Sequence, residues 1–488
     1  MQKLWCALLL LATALPASGQ GAVGPTLSLD DALSLAKANN PTYLQSGNGR
    51  RRADASLRTA RGSFLPGAST NFGTNYRQGK PQYFEGIAFG SNSDQLGSSW
   101  GLNVTANLSA SSWGTLKAAH SNVTASEADV TTADQNLRLM VTSQYFLVLE
   151  DRAQTNLQDT LVALNQLQVD LARAKAGVGT ATSLDVKRAE VALGTQQVAA
   201  LRARNAADVD LLRLFQDIGI PPQEQVQLTT IPPVTEPKFD LKQLIAMAKQ
   251  MNPLLQALTA RVEAAKQNYQ SARSQYVPTL GFQGSIGGSS QQYMDQNYLV
   301  TQAQQQLASA QSQCYSTDSL RRGAGLPGLS YCSSYVLTPA QTQQLRSSNQ
   351  TFPFKFISNP YMLSLGLSLP LFNGFQREQT IESSAADQSD AQYNLKAQQL
   401  KLTADVQSDH VTLVADYRAL KLQESNSVMA REALQLAEER YRVGLNSLVD
   451  LQQARSDYET AEAGRINAVF EFHRAFAALE SAVGRSLR

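Results

Sequence analysis

The chain contains few of the residues on which most enzymes and metal proteins depend. Its 488 residues include three cysteines and three histidines, and the formal net charge is only +2. His120, His410 and His473 lie too far apart in sequence to form a ligand motif, and there is no Walker sequence or His-Glu-x-x-His motif. The balanced charge gives no electrostatic reason to expect nucleic-acid binding. We therefore predict that the protein is not an enzyme and has no cofactor and no metal site.

Long apolar runs are also missing, except at the N-terminus. Residues 4–15 are apolar and follow a short basic start, and small residues come next at 17–19. This pattern predicts a secretory signal peptide over residues 1–19. Cys6 lies inside the apolar run and not at the cleavage point, so we expect no lipid anchor. No later stretch reaches about 18 apolar residues, which argues against a membrane-spanning helix.

Two cysteines, Cys314 and Cys332, remain after the predicted signal peptide, and both lie in one segment rich in Gly, Ser and Gln. An exported protein meets oxidising conditions, in which such a pair forms a disulfide. The alternative, a redox or metal-binding pair, has neither a nearby histidine nor a third cysteine to support it. The sequence favours a structural disulfide.

What the chain does contain is the same pattern twice. Asn40-Pro41 recurs as Asn252-Pro253, and Phe64-Leu65-Pro66 recurs as Tyr276-Val277-Pro278, each about 212 residues later. Such a duplication predicts one structural unit used twice about a pseudo-twofold axis. We place the first repeat at residues 20–220, a Pro-rich linker at 221–238 and the second repeat at 239–488.

Four segments alternate apolar and polar residues with a period of two, which is typical of strands with two different faces. Their length suits a strand that crosses a bilayer at a tilt. The same alternation would fit a soluble sandwich, but four strands cannot close a barrel alone and an open edge is not tolerated in lipid. The pattern therefore favours a barrel shared by several copies. The segments cover residues 67–77, 99–109, 279–287 and 361–370.

The segment between the last two strands, about residues 288–360, is predicted to be a long extracellular loop. It either folds over the mouth of the pore as a lid or only decorates it. Both interpretations stay open at the level of the sequence.

Most of the remaining chain is predicted to be long helix. Leucines recur every seven residues in both repeats, which indicates coiled-coil packing of antiparallel partners. About 60 residues at 1.5 Å each give roughly 90 Å, far more than a globular domain can bury. The predicted helices cover residues 115–176 and 182–217 in the first repeat, and 375–443 and 447–487 in the second.

A glycine and a capping motif interrupt each pair of long helices. Gly179 precedes Thr182-Ser-Leu-Asp185, and Gly444 precedes Ser447-Leu-Val-Asp450. A glycine can adopt positive φ, and Ser or Thr followed by an acid three residues later forms a capping box. The two aspartates therefore complement the helix dipole. If several hairpins converge, the same carboxylates would also form a ring at a constriction.

These residues resemble the outer membrane efflux protein family, the TolC-like outer membrane factors. The resemblance rests on the repeated Gly-x5-Asp, on Tyr441-Arg-Val-Gly444, on Pro66 and Pro278, and on the strand exit at residues 369–374. It implies a mainly α protein with some β structure: a homotrimer with a 12-stranded outer-membrane β-barrel, four strands per subunit, and a trimeric α-helical barrel that crosses the periplasm. It further implies an exit duct of a tripartite efflux or type I secretion system, working with a periplasmic adaptor (membrane fusion) protein, an inner-membrane pump and outer-membrane lipid.

The resemblance also implies a gate at the periplasmic end. Asp450 matches the acid of the ring, and Tyr441 matches a tyrosine that holds the coils closed by bonding to an acid, here Asp185. Tyr441→Phe is accordingly expected to raise conductance. Two positions depart from the family pattern, because Asn446 replaces a basic residue and Gln453 replaces a second acid.

Small and apolar residues near the two turns are expected to face the adaptor. An alternative function is a secreted soluble coiled-coil scaffold without a pore. The expected docking residues are Val178, Gly179, Thr180, Gly444, Leu445 and Leu448.

Overall fold

The computed structural model describes residues 25–80, 82–84, 87–89, 93–223 and 226–487. The predicted signal peptide, residues 1–19, lies outside this range. Two compact units make up the chain: the first contains the chain up to Leu57, Lys117–Tyr269 and Glu382–Arg488, and the second contains Arg58–Leu116 and Gln270–Ile381.

Helices dominate the first unit and recur in the same order in the two halves of the chain. Each half has a short pair of helices and then a long pair, and the longest members have 68 and 67 residues, roughly 100 Å each at 1.5 Å per residue. No helix within the described residues is both long and apolar enough to cross a membrane. The helices are α1 Leu29–Asn39, α2 Pro41–Gly62, α3 Ala110–Gly177, α4 Ser183–Ile218, α5 Leu241–Met251, α6 Pro253–Arg273, α7 Tyr298–Gly323, α8 Pro339–Ser348, α9 Gln376–Arg442 and α10 Leu448–Val483.

The strands form one four-stranded antiparallel sheet and two small pairs. The large sheet has the order β2-β5-β7-β8, so that β2 and β8 are its edges. A parallel pair, β1 and β6, belongs to the first unit. The strands are β1 Thr26–Leu27, β2 Gly67–Arg77, β3 Gln82–Phe84, β4 Ile87–Phe89, β5 Gln95–Leu108, β6 Gln227–Leu228, β7 Thr279–Tyr293 and β8 Ile357–Ser368.

Several element boundaries differ from the expected ones. The strand expected at 99–109 begins at Gln95, and the strand expected at 279–287 continues to Tyr293. The added residues are mostly Ser and Gln and show no apolar alternation, but the ladder continues through them. Ser98 pairs with Ser290, and their hydroxyls lie 2.7 Å apart.

The helices also differ from the expected ones in two places. The helix expected from residue 115 begins at Ala110, because the Ser109 hydroxyl accepts a hydrogen bond from the Ser112 amide and so starts it earlier. The expected loop at 288–360 contains α7 and α8. The Ser- and Gln-rich composition of this segment did not indicate helices. The capping box that Thr338 and Gln341 form at the start of α8 was a usable sign of one of them. Cys314 and Cys332 are joined by a disulfide in this segment, with Cα atoms 5.5 Å apart.

Tyr145 on α3 organises the largest apolar cluster of the first unit. Its hydroxyl donates a hydrogen bond to the Leu27 carbonyl at 2.9 Å and accepts bonds from the amides of Thr229 and Thr230 at 3.0 Å. This single buried side chain therefore ties the β1–β6 pair to α3. Phe146 and Phe215 are fully buried beside it.

The seven-residue leucine patterns have different environments on different helices. On α9, Leu413, Leu420 and Leu434 are buried. On α4, the residues on the same type of grid are exposed. The exposed α4 residues are Leu184, Val191, Val198 and Leu212.

Two carboxyl groups meet between α3 and α4. Asp151 lies within hydrogen-bonding reach of Asp210, and within the described residues Asp151 Oδ2 is buried with no hydrogen-bond partner. Burial and then the neighbouring Asp210 carboxyl raise the pKa of Asp151 to about 7. A protonated Asp151 can donate the hydrogen that two carboxylates lack.

Asp151→Asn should reduce the loss of stability on going from acidic to basic pH. A carboxyl whose pKa is raised on folding stabilises the fold fully below its ordinary value of 3.8, and this contribution is lost as the pH rises through about 7. We expect the thermal midpoint of the detergent-solubilised variant to fall less than that of the wild type between about pH 5 and pH 8. Asp170→Asn, at an exposed position of α3, is the control, and an equal fall in Asp151→Asn and wild type would contradict the shared-proton arrangement.

Candidate functional site: the two hairpin turns

The two long hairpins turn through the same backbone geometry. Gly179 and Gly444 both have φ of 78°, a left-handed conformation that glycine adopts without strain. After α3, the Thr180 amide donates to the Lys175 carbonyl at 2.9 Å, and after α9 the Leu445 amide donates to the Arg440 carbonyl at 2.8 Å. These bonds satisfy carbonyls that a helix leaves unpaired at its C-terminus.

Each return helix begins with the predicted capping box. The Thr182 amide and hydroxyl donate to Asp185 Oδ2 at 2.9 and 2.7 Å, and the Ser447 amide and hydroxyl donate to Asp450 Oδ2 at 3.0 and 2.9 Å. Both capping boxes are confirmed. The hydrogen bonds from the Thr182 backbone and side chain lower the pKa of Asp185.

Tyr441 does not bond to Asp185 within the subunit, contrary to the expectation from the resemblance. In the described part of the chain no hydrogen bond joins the two side chains, since Asp185 Oδ2 is held by Thr182. Tyr441 is only 7% exposed and packs with Leu448 and Leu451. Its contact with the first hairpin is Lys175, whose Nζ lies 4.1 Å from the ring centroid and donates to the Tyr441 carbonyl at 2.7 Å.

The two positions that depart from the family pattern lie on either side of Asp450. Asn446 is half-buried in the turn, and Gln453 is exposed on α10. Gln453 Nε2 donates to Asp457 Oδ1 at 2.8 Å. Asp450 and Asp457 are seven residues apart, which places both acids on one face of α10.

The turns themselves expose apolar side chains. Val178 and Leu445 are 75% and 77% exposed, and Thr180 is exposed beside them. Leu448 is only 6% exposed, so the expectation that it faces solvent at the turn is wrong: it is the first residue of α10 and packs against Tyr441. Sequence reasoning missed other exposed apolar residues close to the turns, although their position within a few residues of each glycine was a usable signal. They are Leu184, Val443 and Val449.

A groove of about 750 Å³ lies between the N-terminal parts of α4 and α10. Its walls combine apolar, charged and neutral polar side chains, including Leu184, Arg188 and Glu459. Within the described residues no group of three or more His, Cys, Asp or Glu side chains is arranged to hold a metal ion.

Solved structures with the same fold are outer membrane channels. CmeC from Campylobacter jejuni superimposes with a TM-score of 0.72 at 15% identity, over 93% of this chain and 85% of CmeC. VceC from Vibrio cholerae superimposes with a TM-score of 0.70 at 15% identity, over 94% of this chain and 97% of VceC. The long helical hairpins and the small sheet therefore define the class of TolC-like outer membrane channels.

The sequence pattern of the outer membrane efflux protein family matches residues 32–219 and 335–485, and the chain belongs to that family. Outer membrane protein TolC of Vibrio cholerae is 22% identical over 464 residues, which is 94% of this chain and 90% of the relative. The protein is thus an efflux channel of the outer membrane that extends into the periplasm, and not an enzyme. The alternative of a soluble scaffold is not supported.

Removing either capping hydroxyl should loosen the start of its return helix. Thr182→Ala and Ser447→Ala should each cost about 1 kcal/mol locally, because each side chain accepts a hydrogen bond from the amide of the aspartate three residues later. Hydrogen exchange of the Asp185 or Asp450 amide should become roughly fivefold faster. Thr195→Ala is the control, since its hydroxyl bonds within α4. Unchanged exchange at both amides would show that the caps do not hold the turns.

Proposed function

We propose that three copies of this chain form one export duct through the outer membrane and the periplasm. The observation that carries the proposal is the sheet with two free edges, β2 and β8. Strand edges in lipid must find hydrogen-bond partners, and four strands are too few to close on themselves. If β2 of one copy pairs with β8 of the next, three sheets close into a 12-stranded barrel without free edges.

The exposed face of α4 supports the same assembly. Its apolar residues recur at heptad spacing, as they do in a coiled coil whose partner helix is supplied by another chain. Leu184, Val191 and Val198 are all exposed in the single subunit. Helices from neighbouring copies would cover this stripe and build an α-helical barrel.

The hairpin turns supply the periplasmic gate in this proposal. Asp450 is exposed in the first turn of α10, and threefold symmetry would place three such carboxylates around one constriction. Asp185 occupies the equivalent place on the first hairpin. With Asn446 and Gln453 in place of charged residues, the ring has fewer ionic contacts than the family pattern implies.

We assign to the turn residues the docking of a periplasmic adaptor protein. The adaptor is itself coupled to an energised inner-membrane pump. Val178 and Leu445 expose apolar side chains at the two turns, and Thr180 is exposed near Val178. Transport through the duct is passive, and the pump supplies the energy and the choice of cargo.

Two neighbouring residues of β8 test the barrel. Leu365 lies on the apolar face and is 71% exposed, and Ser364 lies on the polar face. An arginine facing lipid costs about 2–4 kcal/mol at the bilayer midplane, whereas one facing the lumen is tolerated. Leu365→Arg should abolish the heat-modifiable trimer in outer-membrane fractions, and Ser364→Arg should keep it. Equal tolerance of both, or wild-type protein in the soluble fraction as a monomer, would refute the barrel.

The proposed acidic ring predicts block by multivalent cations. Lanthanum ions added to the periplasmic side of channels in planar bilayers should reduce conductance, and Asp450→Asn should weaken this block roughly tenfold, because three carboxylates bind a trivalent cation electrostatically. Asp457→Asn, two turns farther along α10, is the matched control. If Asp457→Asn relieved the block as strongly as Asp450→Asn, the constriction would lie elsewhere.

A further inference from the structure

The contact between the two hairpins of one subunit is narrow near the turns. The apolar cluster around Tyr441 takes five buried residues from α9 and α10, and α3 contributes only the partly buried Leu171. A cavity of about 580 Å³ lies beside it, between Leu164, Leu167 and Tyr441. Apolar packing alone therefore gives little attraction between the hairpins at this level.

Lys175 makes a polar contact across that boundary, close to both turns. Its ammonium group lies over the Tyr441 ring, 4.1 Å from the centroid, and donates to the Tyr441 carbonyl at 2.7 Å. The ring and the carbonyl bind the cation independently of the tyrosine hydroxyl. The carbonyl also belongs to the last turn of α9, where a positive charge complements the helix dipole.

Both partners are held in place by their own turns. The Lys175 carbonyl accepts bonds from the Thr180 amide at 2.9 Å and the Thr180 hydroxyl at 3.1 Å. The Tyr441 carbonyl also accepts a bond from the Gly444 amide at 3.2 Å. The cation thus joins two hairpin ends whose backbones are each held by hydrogen bonds of their own turn.

The contact forms once per subunit, with the cation on the first hairpin and the ring on the second. Gly179 corresponds to Gly444, so the counterpart of Lys175 is Arg440 and the counterpart of Tyr441 is Ala176. Alanine offers no ring, and the reverse contact is therefore not available. Of the two equivalent positions at the turns, it is Tyr441 at the end of α9 whose ring is covered by a cation of the other hairpin.

We infer that Lys175 is the positioning residue that keeps the gate closed, by fastening the ring and carbonyl of Tyr441 to the first hairpin of the same subunit. This inference rests on the proposed function, because it assigns a fastener to the proposed gate. It replaces the bond between the Tyr441 hydroxyl and Asp185 as the closing contact. Opening the duct requires the hairpins to part, which breaks both contacts of the ammonium group.

Single-channel recording of the full-length protein in planar bilayers tests the fastener. Lys175→Met and Tyr441→Ala should each raise the ratio of open to closed channels roughly tenfold, because each removes the cation–ring contact. Tyr441→Phe keeps the ring and the carbonyl and should match the wild type. Lys175→Arg keeps a cation over the ring and should restore a low open ratio.

Lys187→Met is the matched control, since its ion pair at 2.8 Å joins it to Glu190 within the first hairpin. Every variant is first shown to form the heat-modifiable trimer, so that a folding defect is separated from a gating change. An open ratio of Lys175→Met equal to that of the wild type would overturn the inference. So would a Tyr441→Phe channel as open as Tyr441→Ala, because the hydroxyl would then be the closing group.

The two failures are distinguishable. If wild-type trimers produce channels and the Lys175 variants behave like them, only the fastener is wrong. If the wild-type protein inserts no channel into the bilayer, the proposed function itself fails and the inference fails with it.

Discussion

An unpaired strand edge cannot persist in hydrocarbon, and this constraint shapes the assembly of the whole molecule. Each amide or carbonyl left without a partner in lipid costs several kcal/mol, and the sheet has such groups along both β2 and β8. The apolar side chains of β8 are exposed in the single subunit as well. In the proposed trimer the neighbouring copies would pair these edges, and the high energy of an open edge in lipid would drive the assembly.

The helices of the single subunit also leave a surface without a partner, and here the surface is apolar. On α9 the heptad leucines find partners within the chain, whereas on α4 the corresponding stripe stays exposed. Exposed apolar area of this kind marks an interface. Backbone hydrogen bonding in the sheet and apolar burial on the helices thus favour the same symmetric assembly, although neither interaction depends on the other.

Features governed by local chemistry could be predicted from the sequence, and features governed by tertiary contacts could not. The glycine turns and both capping boxes follow from a few adjacent residues. The early start of β5 at Gln95 could not be predicted, because its Ser-rich end is held by pairing with β7. The link from Tyr145 to the β1–β6 pair likewise depends on residues far away in sequence, whereas the burial of Leu448 depends on how the end of α9 folds back against the start of α10.

The case of Asp185 shows why a family's residue roles cannot be transferred without the geometry. Its Oδ2 accepts two hydrogen bonds from Thr182 in the capping box, and the first turn of α4 depends on them. A carboxylate oxygen engaged in this way gains less from a tyrosine hydroxyl than a free one would. The Lys175 ammonium group is not part of a capping box. It carries three donors and donates to a carbonyl of α9. The proposed closing contact is therefore made by the Lys175 ammonium group with the ring and carbonyl of Tyr441, and not by Asp185 with the Tyr441 hydroxyl. The two hairpin turns that carry these residues are the same in either case.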